Sequence, residues 1–352
     1  MNETMRVTTK AFTDTYKHEV KRYFSDIFTK LPRNTQRAYI SDFNEFAVFC
    51  EQHQLSGFND SMANNEACIK DYVSCLCESP LAYRTIKRRL SALSKFLKIA
   101  CLPNPIVQSV YLRDFIKLSL VENQKYALSE HQATALTVDL LDKINESIIP
   151  DNLLEMRDLA IVNLMFDGLL RADELVRVKL EHIDKRNNAL LVITSKSDQS
   201  GQGSYRFISS STIDMINEYV NEANYDGINR TVRSTEDPRR INKGILFRRV
   251  SNRGHALLPY EEHQHNTQQH VLEYSSIYRV WKRVAKKADI KENITPHSGR
   301  VGGAVSLAEH GATLPEMQLA GGWASPEMPG HYSRQANVKR GGMAKLAAKN
   351  NR

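Results

Sequence analysis

The chain has 352 residues, 41% of them hydrophobic and 25% charged, and its 48 Lys and Arg exceed its 40 Asp and Glu to give a formal net charge of +8. That length predicts about two or three domains with cores of their own, and the ordinary composition excludes collagen and long disorder. No window approaches the ~18 uncharged apolar residues of a membrane span, and Met1 to Lys10 has no apolar signal-peptide core, so a soluble, unexported chain is expected.

The five cysteines, Cys50, Cys68, Cys75, Cys77 and Cys101, are odd in number and have no CxxC spacing. Reduced, partly buried thiols in a reducing cytoplasm are the expectation. Residues 1 to 125 carry 18 Lys and Arg against 13 Asp and Glu, net +5, and the remainder 30 against 27, net +3. The shorter part is the more basic, which suits a polyanionic partner such as DNA.

In chain order, residues 1 to 125 read as successive amphipathic helices. Pro32-Arg33-Asn34-Thr35 opens a helix whose Tyr39, Phe43, Phe46 and Phe49 recur at helical spacing. A second helix follows Ser79-Pro80 and ends at Leu102-Pro103, with Ile86, Leu90, Leu93 and Leu97 as its apolar stripe. Its other face carries Arg84, Lys87, Arg88, Lys95 and Lys98 with almost no acid, the pattern of a DNA-facing surface. Arg37 joins these as a candidate DNA contact. A loss of apolar periodicity places an interdomain linker over Val121 to Leu128, and Ser129-Glu130 looks like the next helix start.

Helices are then predicted through Leu153 to Phe166 and Arg171 to Val178. Ala189 to Ile193 and Tyr205 to Ile208 form a β-hairpin with Lys196 near its tip. A helix from Ser211 to Asn221, an irregular basic stretch over 230–253, and a helix from Tyr274 to Ala288 complete this part. His263, His265 and His270 lack a Cys or acidic cluster beside them and read as a solvated loop, not a zinc site.

The informative region runs from Thr295 to Tyr332. His297 and Arg300 are three apart and share a helix face, and Pro296 suits the first turn, where free backbone N–H groups face an anion. The helix ends at His310-Gly311, and Leu314-Pro315 opens another. Gly321-Gly322 precedes Trp323, and Tyr332 follows. Upstream, Arg171 and Glu174 are three apart on another predicted helix. This set is what metal-free phosphoryl transfer requires. Two guanidiniums, a His and an indole N–H can hold the charge that develops on a phosphodiester's nonbridging oxygens. Tyr332 can act as nucleophile if His297 takes its proton, Lys196 can protonate the departing 5′ oxygen, and Glu174 can anchor the site. No metal and no cofactor is called for.

Leu170-Arg171, Glu174, Lys196 on a hairpin, His297-Ser298-Gly299-Arg300, Gly321-Gly322-Trp323 and Tyr332 together resemble the active-site set of the tyrosine recombinase (phage integrase) family. Trp323 stands where His is commoner, and His331 beside Tyr332 and the long 230–253 stretch are departures. The resemblance implies a mainly α chain forming a two-domain, C-shaped DNA clamp. Its parts would be a helical DNA-binding domain over 1–125 and a mostly helical catalytic domain over 126–352 with a small antiparallel β-sheet. It further implies a site-specific recombinase that attacks through Tyr332, forms a 3′-phosphotyrosyl intermediate without ATP, and rejoins strands through a Holliday junction. The implied partners are double-stranded DNA with an inverted-repeat target and three further copies in a homotetramer, with no membrane; the setting is a bacterial cytoplasm, at the nucleoid, for a bacterial, phage or plasmid gene.

After Gly341-Gly342, Met343, Leu346 and Ala347 form a short apolar stripe, which the resemblance places against a neighbouring protomer. The rival readings are a type IB topoisomerase or hairpin resolvase, a noncatalytic DNA-binding regulator, and a metal nuclease built on Asp167, Asp173 and Glu174.

Overall fold

Tyr39, Phe43, Phe46 and Phe49 fall on one helix, α2 (Arg33–Gln52), in the computed structural model, which describes residues 17–126, 133–193, 203–225, 232–234, 237, 240–250, 272–334 and 341–350. The chain divides into two compact units, Met1–His131 and Gln132–Arg352. The first contains α1 (Lys17–Asp26), α2, α3 (Met62–Glu78), α4 (Tyr83–Ile99), the short α5 (Pro105–Gln108) and α6 (Val110–Tyr126), with α2 packed on α3 and α4, and α6 on α3 and α4. No strand occurs among its described residues.

The aromatic stripe of α2 drives this core. Phe46 stacks on Phe58 at 4.5 Å and meets Tyr72 edge-on at 5.1 Å. Ile86, Leu90, Leu93 and Leu97 of α4 are all buried against it, each worth roughly 1.5–3 kcal/mol of transfer free energy. The cysteines are free thiols, and burial pushes that of Cys50 up to about 12, so it stays protonated at neutral pH.

One boundary differs from expectation. The stretch from Val121 continues α6 to Tyr126, because Glu122, Gln124 and Lys125 are good helix formers and no Gly or Pro interrupts them. A polar helical run resembles a linker in sequence. The expected helix start at Ser129-Glu130 lies outside the described residues.

The second unit is built around α8 (Leu153–Asp167), whose Ala160, Ile161, Val162, Leu164 and Met165 have no exposed surface. A helix apolar all round must be enclosed, and α7 (Val138–Ser147), α10 (Ser210–Ala223), α11 (Tyr274–Lys287) and α12 (Pro296–Glu309) pack about it. The predicted 171–178 helix is only the one-turn α9 (Ala172–Leu175): the Val178 carbonyl accepts from the Leu246 N–H at 3.0 Å and Lys179 pairs with Ile245 as an isolated bridge, so the chain leaves the helix to pair with 245–246.

The hairpin forms as β2 (Ala189–Val192) and β3 (Ser204–Phe207), with β1 (Ile183–Asp184) adding an antiparallel third strand in the order β1-β2-β3. In this register Leu190 faces Arg206 and Leu191 faces Tyr205. Alternation then buries Leu190 and Arg206 and exposes Tyr205 and Phe207. Asp167, at the end of α8, accepts from the backbone N–H and hydroxyl of Ser209 at 2.8 and 2.6 Å and from the Thr212 hydroxyl at 2.6 Å. It thereby fixes the start of α10 just beyond the hairpin.

The glycines of α12 are spatial requirements. A Cβ on Gly302 would lie 1.7 Å from the Leu136 carbonyl oxygen, and one on Gly303 would lie 2.2 Å from the Leu169 side chain. Leu136 N–H donates to the Ser298 carbonyl at 3.0 Å, so the chain near 136 runs directly against the helix that carries His297 and Arg300. The last elements are α13 (Leu314–Gly321), α14 (Glu327–Tyr332) and α15 (Gly342–Lys349).

Candidate active site

Arg300 is the centre of the site. It is buried to 1% exposure, yet its fork is used: Nη1 donates to the Leu169 carbonyl and Nη2 to the Gly321 carbonyl at 2.9 Å. Leu169 presents that carbonyl from a left-handed backbone, φ 47°, a conformation of order 1 kcal/mol or more above the usual ones for a non-glycine. The Trp323 ring covers the guanidinium, 4.3 Å from its carbon to the ring centroid. Burial and the neighbouring Arg171 pull the Arg300 pKa down to about 10, leaving it charged at neutral pH.

Arg171 sits at the N-cap of α9. Its backbone N–H donates to Glu174 Oε2 at 2.8 Å and its Nη1 to Oε1 at 2.7 Å. Glu174 is enclosed while Arg171 keeps 27% of its side chain open. The carboxylate thus holds the guanidinium from behind and leaves its other donors facing outward.

His297 and Tyr332 meet across α12 and α14. His297 Nε2 is 3.2 Å from the Tyr332 hydroxyl, and Tyr332 is 8% exposed, with its ring 6.1 Å from that of Trp323. His297 is itself an exposed residue. Desolvation, with Arg300 and Arg171 beside it, depresses the His297 pKa below its usual 6.5. The ring is therefore neutral at pH 7, and the tautomer with a free Nε2 lone pair can accept the phenol proton.

The turn that carries Trp323 is tightly specified. A Cβ on Gly321 would lie 2.0 Å from the Trp323 ring; Gly322 is left-handed, φ 56°, and a Cβ there would lie 1.8 Å from Arg206 Nη2. Arg206 was not among the residues singled out from sequence. It projects from β3 with 2% exposure and donates from Nη1 to the Leu319 carbonyl at 3.3 Å. The signal that could have found it is an arginine at an inward position of a strand pattern, between the outward Tyr205 and Phe207.

Arg171, Glu174, His297, Arg300, Trp323 and Tyr332 are thus all placed in the second unit. The pairs Arg171–Glu174, His297–Tyr332 and Arg300–Trp323 are in direct contact, and Tyr332 lies next to Trp323. Lys196 lies outside the described residues, as do His263, His265 and His270. The acids of the rival metal-nuclease reading do not converge: Asp167 caps α10, Asp173 pairs with Arg177 at 3.2 Å and Glu174 with Arg171. No cluster of three potential metal ligands occurs among the described residues.

Arg84, Lys87, Arg88, Lys95 and Lys98 all lie exposed along α4, and Arg37 lies exposed on α2. They are not equivalent. Arg88 Nη1 is 2.5 Å from the carboxylate of Asp42, which is 1% exposed; burial raises the pKa of that carboxyl, and Arg88 opposes the rise. Lys87 lies over Tyr83 at 4.9 Å and Lys95 over Tyr23 at 5.8 Å.

Residues 134–338 match the phage integrase family, more than half the chain. The chain belongs to the phage integrase family. It is similar to recombinase Cre of Escherichia phage P1, 24% identical over 348 residues, covering 95% of this chain and 94% of that protein. It is also similar to tyrosine recombinase XerD of Lacticaseibacillus casei, 24% identical with 84% and 86% covered. Among solved structures, the Tn1549 transposon integrase in complex with transposon right end DNA shares the fold at TM-score 0.59 and 17% identity, covering 92% of this chain and 98% of that one. The XerH site-specific recombinase bound to a palindromic difH substrate does so at TM-score 0.57 and 15% identity, with 97% and 93% covered. As a family member the chain is a tyrosine-type site-specific DNA recombinase, mainly α with one small antiparallel sheet.

Proposed function

We propose that this recombinase cuts and rejoins duplex DNA at a paired inverted-repeat target, acting as a homotetramer that passes through a Holliday junction. The observation that carries the reading is the contact of His297 Nε2 with the Tyr332 hydroxyl beside the Arg171 and Arg300 guanidiniums.

Neutral His297 takes the phenol proton as the Tyr332 oxygen attacks the scissile phosphorus. The bond between phosphorus and the 5′ oxygen breaks, Lys196 gives that oxygen its proton, and a 3′-phosphotyrosyl bond and a free 5′-hydroxyl result. Attack by a 5′-hydroxyl of the partner duplex reverses these transfers and releases Tyr332. Arg171 and Arg300 hold the nonbridging oxygens, whose charge rises during attack, so neither metal nor ATP enters the step.

The first unit, with the basic face of α4 and Arg37, is the DNA-binding domain, and the second carries the cleavage chemistry. Support for an interprotomer contact comes from α15, where Met343 and Leu346 are 77% and 51% exposed. The setting is bacterial DNA at the nucleoid, whether the gene is chromosomal, phage or plasmid.

The deciding experiment is trapping on a nicked target. The wild-type chain is expected to form a denaturation-resistant adduct and the Tyr332→Phe chain to bind the same DNA without one. An adduct in the phenylalanine variant would move the nucleophile to another residue.

A further inference from the structure

Arg206 is a costly residue to bury. Its Nε and Nη2 have no hydrogen-bond partner, although both atoms are shut off from solvent. A guanidinium left part-unpaired in a low-dielectric site destabilises a fold, and an apolar side chain of similar length would pack there at less cost. Local rules are broken in this way mainly where function requires it.

The surroundings suggest what requires it. Nη1 holds the Leu319 carbonyl at the end of α13, and Nη2 lies against left-handed Gly322. The same turn supplies the Gly321 carbonyl that accepts from Arg300 and the Trp323 ring that covers Arg300. Arg206 reaches this turn from β3. Its charge is felt by Arg171, Glu174 and Arg300. With His297 neutral, Arg171 and Arg300 against Glu174 leave one positive charge, which balances a phosphodiester at rest. Attack by the Tyr332 oxygen adds a second negative charge to the phosphoryl group while its proton passes to His297, and Arg206 adds a further fixed positive charge behind Arg300.

We propose that Arg206 is a positioning residue of DNA cleavage, a third guanidinium that holds the Gly321–Trp323 turn behind Arg300 and adds positive charge there. This rests on the strand-cleavage function proposed above. Arg206 does not contact the phosphate; it acts through Arg300 and Trp323.

Single-turnover adduct formation at saturating DNA tests it, read beside half-site affinity and the thermal midpoint, for Arg206→Met and Arg206→Lys in the full chain. Arg206→Met is expected to slow adduct formation roughly tenfold or more, with half-site affinity unchanged and the midpoint unchanged or raised. Arg206→Lys, which keeps the charge and loses the fork, is expected to fall between that variant and wild type. Wild-type rates in both variants would overturn the proposal, as would a loss of rate matched by a loss of folded protein. Should the methionine variant not fold, the lysine variant decides: slower adduct formation with an intact fold supports the role, and a wild-type rate overturns it. Absence of any adduct with the wild-type chain would instead remove the cleavage reading itself, and this proposal with it.

Discussion

His297 Nε2 and the Tyr332 hydroxyl are 3.2 Å apart, within proton-transfer distance, although they lie 35 residues apart on different helices. The geometry asks for a neutral imidazole, and the site provides one: desolvation and two guanidiniums lower the His297 pKa. Protonation would remove the accepting lone pair and add a cation beside Arg300. Activity is therefore kept where His297 is neutral and lost as pH falls through its lowered pKa. The rate at subsaturating DNA, which reports the free enzyme, should fall on the acid side with its half-point below the usual 6.5 of a histidine. Half-loss at or above pH 6.5 would contradict this origin, and His297→Gln should abolish the acid limb.

The two guanidiniums should be replaceable by neither lysine nor metal. Arg171→Lys and Arg300→Lys keep charge but lose the planar fork that grips Glu174 in one case and two backbone carbonyls in the other. Each is expected to lose roughly 10² or more in cleavage rate, the scale of one oxyanion donor. Excess EDTA should leave the wild-type rate unchanged. Strict dependence on a divalent cation, measured by adduct yield, would show that these side chains do not carry the charge alone.

Gly302→Ala should destabilise the chain without touching the chemistry directly. Its Cβ would overlap the Leu136 carbonyl oxygen, a backbone atom that cannot rotate away. Overpacking of this kind costs about 1–3 kcal/mol, or roughly 2–4 °C in midpoint per kcal/mol for a unit of this size. Calorimetry of the full chain would read it, and an unchanged midpoint would mean that α12 can shift away from the segment near 136.

What was readable in the sequence follows from how far each signal travels along the chain. Arg171 with Glu174, and His297 with Arg300, stand three apart, and that spacing alone implies a shared face. The aromatic stripe of α2 and the apolar stripe of α4 are likewise local patterns, and both are core. Arg206 was missed because a single arginine in a strand declares nothing until register shows which face it occupies. The role of Gly302 depends on Leu136, 166 residues earlier, and no local pattern encodes that approach. The end of α6 is not marked in the sequence because a polar run without Gly or Pro reads alike as helix or linker.

On α4, Arg88 should behave unlike its neighbours. It pairs with Asp42, which is almost fully buried, so Arg88→Ala leaves a buried carboxylate without its cation. That loss is expected to cost about 1–3 kcal/mol of stability, while Lys95→Ala and Lys98→Ala should stay within about 0.5 kcal/mol and weaken DNA binding mainly by flattening its salt dependence. Arg84→Ala should instead relax base preference by about 1–3 kcal/mol if its guanidinium reads a base edge. Adding Asp42→Asn to Arg88→Ala should recover part of the lost stability in a double-mutant cycle. An additive cycle would show that the two side chains do not interact in solution.

The tail after Tyr332 leads to the largest expected effect on assembly. α15 has eight residues, too few to be stable alone in water, and Met343 and Leu346 stand open on it at 77% and 51% exposure. Burying what remains open of these two side chains is worth roughly 2–4 kcal/mol by area, and a second copy of the chain is the partner that a head-to-tail ring would offer. Only ten residues separate Tyr332 from Met343 in the sequence, so docking of this helix and placement of the nucleophile would be linked. A chain ending at Arg340 is expected to bind a single half-site with nearly unchanged affinity, to lose cooperative binding to a two-arm site, and to lose synapsis and strand exchange. Gel-shift titration on one-arm and two-arm targets, followed by a recombination assay, would check each part. Cooperativity and recombination at wild-type levels in the shortened chain would place the contacts between copies elsewhere.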